Sequence, residues 1–328
     1  ARDIEATRET VRGLPVVKAE VGPATAPTVV LEGHIDVVPA HAEQFEPRLE
    51  GDRLYGRGSY DMKGAIAAMM VVTAALRDQD RVRVRLGIVG DEESEDGDDR
   101  GCDSLVDNGF VGDFAITGEP TNMHIGVEAK GVLALRLEVE GVAAHGATPW
   151  LGDNAVLKAI DVFRSIESLP FARQSSELFD RPSINLGRIW GGDALNKVPD
   201  RCVIDVDIRY LPGQDPDALL EEISAMPGVT GVAPLLVRPP AIVDRESPFV
   251  RGLRDAAATH AGSETITVGR DGASDAVSFL RVGVPAVEFG PLGAGHHGPE
   301  EWVSVSSLEG YRQALESFLI SIPERLDE

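Results

Sequence analysis

Cysteine is nearly absent from this chain of 328 residues. Only Cys102 and Cys202 occur, far apart and with no Cys-x-x-Cys pair. Two are too few for a disulfide framework, so both are expected to be plain thiols. Long apolar runs are also missing. The longest, AIAAMMVVTAAL from Ala65 to Leu76, falls well short of the roughly 20 residues a membrane-spanning helix needs, and it reads as a buried helix. Basic residues are scarce, with 31 Lys and Arg against 54 Asp and Glu and a net charge of −23. Nucleic acid and anionic membranes select basic patches, so neither is expected as a partner. No signal peptide is read at the start, and the expected compartment is the cytoplasm. What is present is globular: 43% hydrophobic and 26% charged residues, at a length suited to one large domain or two ordinary ones.

Along the chain the hydrophobic pattern changes character near Val127. Before it, TVVLEGHIDVV and VRVRLGIV read as strands, DNGFVGDFAITGEPT contains another, and MKGAIAAMMVVTAALRD reads as a helix. Strands alternating with helices predict an α/β domain with a mostly parallel sheet covered on both faces. After it, GVLALRLEVEG alternates strictly, as a half-buried antiparallel strand does. Ala155, Ala159, Val162, Phe163 and Ile166 then fall at helical spacing, with Asp153 as the expected N-cap. SINLGRIW and RCVIDVDIRY read as two strands, PDALLEEISAM as a helix and GVAPLLVRP as a strand. That β-α-β-β-α-β order is ferredoxin-like. Pro239 to Pro248 reads as a return linker, followed by a helix, the strand PAVEFG and a final helix. The predicted organisation is therefore an α/β domain (1–126 and 239–328) interrupted by an inserted α+β domain (127–238).

Acidic and histidine residues gather where this reading places strand ends and helix starts, the region where open α/β sheets collect ligands. His34 follows the first strand, Asp61 opens a helix, Glu92 and Glu93 follow another strand, Glu119 follows the next, and His297 lies in GHHGPEEW. Carboxylates and imidazoles suit a borderline divalent ion such as zinc. Three carboxylates (Asp61, Glu93, Glu119) and one hydroxide balance two divalent cations, so such a site can be buried without net charge. The acidic run in GDEESEDGDDRGCD would be partly offset by such ions. Its remainder, Glu95 to Asp99, is expected to be a solvated loop, because the D-x-D-x-D-G calcium spacing is absent.

The stretches GHIDVVP, LYGRGSYDMKGAIAAMM, GDEES, ITGEPT, GVAAHGATPWLGDNA, LNKVPDRCVIDVDIRYLPG, GASDAVSFL and FGPLGAGHHGPEEWVSV together resemble the dinuclear zinc amidohydrolases and exopeptidases of the aminoacylase, acetylornithine deacetylase and succinyl-diaminopimelate desuccinylase family. They stand in the family's order and cover nearly the whole chain. The resemblance implies a zinc-peptidase-like catalytic domain and a lid that also dimerises. It implies that His34 and Glu119 hold one metal, Glu93 and His297 the other, and that Asp61 bridges them through a residue whose next peptide, Asp61–Met62, is cis. Zinc is the expected metal, with cobalt or manganese as alternatives. Glu92 would be the general base. Asp36, two residues after His34, can orient its ring. His145 would reach a partner subunit's site and stabilise the oxyanion, and Asn196 and Arg209 would meet the substrate's polar groups. His296 competes with His297 as ligand, and the spacing within HxPEE favours His297. The region before TVVLEGH is short for the family, and Asp96, Asp98 and Asp99 match none of its ligands.

The expected activity is metal-dependent hydrolysis of the amide of an N-acyl amino acid, with a small-molecule N-acyl amino acid or short peptide as substrate and a homodimer formed through the lid. Three alternatives stand beside it. One is a carboxypeptidase or dipeptidase of the same family. Another is a binding protein that has lost catalysis, which the retention of Glu92 opposes. The third is a serine hydrolase built on GASDA around Ser274, which lacks the second glycine of a nucleophile elbow.

Overall fold

The computed structural model describes residues 4–11, 13–93, 101–261 and 264–326. The acidic run Glu95 to Asp99 lies outside them. The chain divides into two compact units: Ala1–Glu128 with Ile242–Val268 and Ser274–Glu328, and Ala129–Ala241 with Gly269–Ala273.

The first unit is built on a mixed sheet. Thr28–His34 pairs in parallel with Arg83–Val89 on one side and with Phe114–Thr117 on the other. Ala286–Phe289 extends the parallel core beyond Phe114–Thr117. Antiparallel strands flank it. Leu14–Val21 borders Arg83–Val89, Ala6–Val11 lies outside that, and Ile125–Ala129 borders Ala286–Phe289 on the opposite flank. The N-terminal hairpin is not read from the sequence because ATRETV is polar and its residues are almost all exposed.

Both faces of the central strand are covered, which explains its uninterrupted apolar run VVL. On one face Val30 joins Val16, Val89, Cys102, Leu105, Phe110, Ala115 and Phe279 in a buried cluster. On the other, the Phe114 ring stacks on Phe249 of the helix Pro248–His260, with centroids 4.9 Å apart, and meets Phe318 of the helix Val305–Leu326 edge-on at 5.9 Å. Each such ring removed from water stabilises the fold by about 1.5–3 kcal/mol. Among the described residues no helix is long and apolar enough to cross a membrane. Both cysteines are free and buried.

The second unit has the predicted β-α-β-β-α-β order. Its sheet runs Ser183–Gly191, Arg201–Tyr210, Gly131–Glu140, Gly231–Arg238, antiparallel throughout. In chain order this is 2-3-1-4, the ferredoxin-like arrangement. Leu133, Leu135, Leu137 and Val139 bury one face of the second-to-last strand against Ala155, Ala159, Val162 and Ile166 of the helix Ala155–Ile166. The cap of that helix corrects the expectation. Asn154, not Asp153, takes the capping conformation, and its Oδ1 accepts from the N–H groups of Val156 and Leu157. Asp153 instead accepts from Lys158 Nζ at 2.8 Å.

Candidate metal centre

The parallel core of the first unit fixes most of the cluster. His34 is the last residue of Thr28–His34 and is 1% exposed. Glu93 lies four residues past Arg83–Val89, and Glu119 two past Phe114–Thr117. Asp61 sits in the tight turn Ser59–Lys63 that leads into the helix Gly64–Ala75, and the Asp61–Met62 peptide is cis. Two glycines allow this turn to approach the sheet. A Cβ on Gly33 would stand 2.4 Å from Met62 Cε, and one on Gly118 would stand 2.7 Å from the same atom. Each glycine precedes a cluster residue, so the bare backbone lets Asp61 come down between His34 and Glu119.

The two oxygens of Asp61 face different partners. Oδ1 is 3.2 Å from His34 Nε2, which is 3.7 Å from Glu119 Oε1. Oδ2 is 3.3 Å from His297 Nε2, which is 3.1 Å from Glu93 Oε1. Two triads result, His34–Asp61–Glu119 and Asp61–Glu93–His297, each with one ligand-type atom per residue inside 4.8 Å. A further grouping of the same span joins His34, Glu92 and Glu93. His297 reaches the cluster from a loop with φ of 61°. The neighbouring His296 ring packs edge-on against Tyr60, with centroids 5.9 Å apart.

Asp36 holds two parts of this arrangement at once. Its main-chain oxygen is 3.2 Å from His34 Nδ1 and its carboxylate 3.6 Å. The carboxylate also accepts from the backbone N–H groups of Glu92 at 3.3 Å and Glu93 at 2.9 Å. Asp36 thus holds the Glu92–Glu93 backbone as well as the His34 ring expected from its spacing. Glu301 is not among the residues expected from the sequence. It ends the acidic pair of GHHGPEEW, and its buried carboxylate accepts from the backbone of Asp61.

The electrostatics describe crowded negative charge. Burial holds the Glu119 carboxyl well above the usual range, with Asp61, Glu92 and Glu288 adding to the rise and His34 opposing it. Burial and the nearby Asp61 also raise Glu93. Burial disfavours a charged His34, but its bonds to Asp36 and Asp61 and the nearby Glu119 and Glu92 outweigh it, so its pKa stands well above the ordinary value. Carboxylates gathered at such distances, with imidazoles facing them, are the donor set a divalent cation satisfies. The residues present therefore fit two cations that share Asp61.

Residues 30–321 match the family described as Peptidase family M20/M25/M40. The chain belongs to that family. Among relatives of family M20/M25/M40, a succinyl-diaminopimelate desuccinylase of Leptothrix cholodnii is 30% identical over 329 residues, which is 91% of this chain and 84% of the relative. One from Polaromonas naphthalenivorans is 29% identical over 321 residues, 90% of this chain and 77% of the relative. A solved M20 family metallo-carboxypeptidase from Sulfolobus solfataricus shares the fold with a TM-score of 0.79 at 20% identity, covering 98% of this chain and 91% of that one. Aminopeptidase PepT from Bacillus cereus gives the same TM-score at 18% identity, covering 98% and 90%. The M20 assignment makes the chain a metal-dependent hydrolase. It also removes the serine-hydrolase alternative. Ser274 Oγ accepts the N–H of Ala276 at 3.1 Å, a local turn contact.

His145, Asn196 and Arg209 all lie in the second unit. His145 and Asn196 are exposed neighbours. Gly146 N–H donates to Asn196 O at 2.7 Å, and His145 Nδ1 accepts from Ala147 N–H at 3.0 Å. Arg209 Nε donates to Asp207 at 3.0 and 3.1 Å. Asp205, on the same strand face, instead takes a bidentate pair from Arg136 at 2.8 Å.

Proposed function

We propose that this chain hydrolyses the linear amide of an N-acyl amino acid, with a succinyl amide as the first candidate. The observation that carries the reading is Asp61, whose two oxygens each face a separate histidine–carboxylate pair. His34, Asp61 and Glu119 would hold one cation, and Asp61, Glu93 and His297 the other. Zinc is the proposed ion. When bound, such cations acidify water and polarise a carbonyl. Desuccinylase relatives at 27–30% identity over most of the chain support the acyl choice over a peptide.

Glu92 stands beside Glu93 with a carboxylate oxygen within 4.8 Å of His34 and Glu93 ligand atoms. As the water oxygen attacks the carbonyl carbon, Glu92 accepts its proton. When the C–N bond breaks, Glu92 returns that proton to the amine nitrogen; the other proton of the water stays on the new carboxyl group and passes to the amine, leaving a carboxylate and an ammonium group. Asp36 keeps Glu92 in place through its backbone N–H. His145 and Asn196 are proposed to meet the reacting carbonyl and Arg209 a substrate carboxylate, with Asp207 holding the guanidinium by its Nε and leaving its far edge for bidentate binding.

The proposed homodimer forms through the second unit. Its strand Ser183–Gly191 is an end strand of the sheet with mostly exposed residues. Trp150, Leu151, Leu157, Trp190 and Leu195 are exposed on the same unit. An open edge and large uncovered apolar groups of this kind mark association surfaces.

The test is a hydrolysis screen over N-succinyl and N-acetyl amino acids and dipeptides, with added zinc, cobalt or manganese and ninhydrin detection of the freed amine. Turnover on an N-acyl amino acid that a chelator abolishes is expected. A cation-loaded sample that cleaves none of them would return the binding-protein alternative, and dipeptide cleavage alone would favour the peptidase.

A further inference from the structure

The turn that carries Asp61 and the loop that carries His297 are separate in sequence, yet one carboxylate ties them together. Glu301 is 2% exposed. Its Oε1 accepts the N–H groups of Tyr60 at 3.0 Å and Asp61 at 3.1 Å. Its Oε2 accepts Gly58 N–H at 3.0 Å and Arg57 Nη1 at 2.6 Å. The Glu301 main-chain oxygen takes Gly56 N–H at 3.1 Å. Three backbone donors of a turn that is not a regular helix, those of Gly58, Tyr60 and Asp61, are thus satisfied by one side chain. Arg57 is buried as well, and its Nη2 donates at 2.9 Å to Gly298 O, the residue after His297. Gln44 Nε2 donates to the same oxygen at 3.2 Å.

We propose that Glu301 is a positioning residue that presets the shared Asp61 and the loop ligand His297 relative to each other, acting on one through backbone N–H groups and on the other through Arg57. The proposal rests on the dinuclear reading above. A carboxylate carried by one segment and filled by four donors from another, residues 57–61, fixes the two segments to each other, and a buried guanidinium is retained only where its charge is met. His297 needs that support. It is half exposed and stands in a left-handed backbone conformation, in the loop that joins the paired strands Gly293–Ala294 and Trp302–Ser304. Asp61 needs it because both of its oxygens face the cluster, leaving its backbone as the handle by which its direction is set.

Glu301→Gln keeps the volume but replaces one acceptor with a donor, which must then face Arg57 or the backbone N–H groups. Arg57→Lys keeps the charge but gives up the fixed fork that reaches both Glu301 and Gly298. Metal-free protein of each variant is titrated with Co²⁺, following the visible absorption of the bound ion, with a competing chelator to read affinity. Thermal melting of the metal-free protein and kcat and KM on the best substrate accompany it. The unsubstituted protein is expected to bind two ions. In both variants binding at one step is expected to weaken about 10- to 100-fold, the scale for groups that orient ligands. The absorption bands should shift, and kcat should fall more than KM rises. Glu301→Gln combined with Arg57→Gln, which leaves no buried charge unpaired, serves where the single glutamine variant does not fold. Folded variants with both binding steps, spectrum and kcat within twofold of the unsubstituted protein overturn the proposal. Failure of the unsubstituted protein to bind two ions overturns the dinuclear reading instead.

Discussion

Asp36→Asn isolates the part of the site that the structure adds to the sequence reading. The carboxylate of Asp36 accepts Glu93 N–H at 2.9 Å and Glu92 N–H at 3.3 Å, and lies 3.6 Å from His34 Nδ1. Burial opposes its charge, but His34, the Glu93 N–H and its own backbone N–H outweigh this and lower its pKa, so it acts as an anion. Asparagine offers one oxygen where three donors converge and turns an NH₂ group toward at least one of them. At minimum one charge-assisted hydrogen bond is lost, about 1.5–3 kcal/mol. At 1.36 kcal/mol per decade this is roughly a 10- to 150-fold effect, matching the range for groups that orient metal ligands. The loss falls on both the ring of His34 and the Glu92–Glu93 backbone, so cation affinity and kcat/KM should both drop. Chelator competition reads the first and steady-state hydrolysis the second. A folded variant with both quantities within twofold of the parent would refute the reasoning.

Glu92→Ala is expected to retain the cations and lose about 10²–10⁴-fold in kcat, the usual contribution of general acid–base catalysis; elemental analysis beside kinetics checks it, and retained turnover removes Glu92 as base. Replacing His145 should lower turnover without changing cation content, and mixing that variant with Asp61→Asn should restore part of the activity in hybrid dimers; no restoration counts against a role across subunits. Gly131→Ala should destabilise the second unit, because a Cβ there would stand 2.2–2.6 Å from the Tyr210 ring atoms; overpacking of this kind costs about 1–3 kcal/mol, readable as a lower urea midpoint, and an unchanged midpoint would contradict the packing.

The strands that build the site were legible because burial on both faces demands continuous apolar runs, as in VVL of Thr28–His34, and burial on one face demands alternation, as in Gly131–Glu140. Those patterns also placed His34, Glu93 and Glu119 at strand ends. The hairpin Ala6–Val21 was not legible, since its outer strand has no buried face to leave a pattern. The cap moved from Asp153 to Asn154 because both residue types cap well and only backbone conformation chooses between them. Asp36 and Glu301 show the same limit at the site. Their carboxylates bind backbone N–H groups, which every residue but proline carries and no sequence pattern marks. The glutamate pair in GHHGPEEW was a visible signal, but nothing in it says that Glu301 turns inward beneath Asp61 while Glu300 meets Arg48 at the surface.

The central claim is that Asp61 lies between two cations. Crystals of active protein, with diffraction collected on both sides of the zinc absorption edge, test it directly. The account predicts two anomalous peaks flanking Asp61, one beside His34 and Glu119 and one beside Glu93 and His297. An active enzyme with no peak at Asp61, or with its metal bound elsewhere, would contradict it.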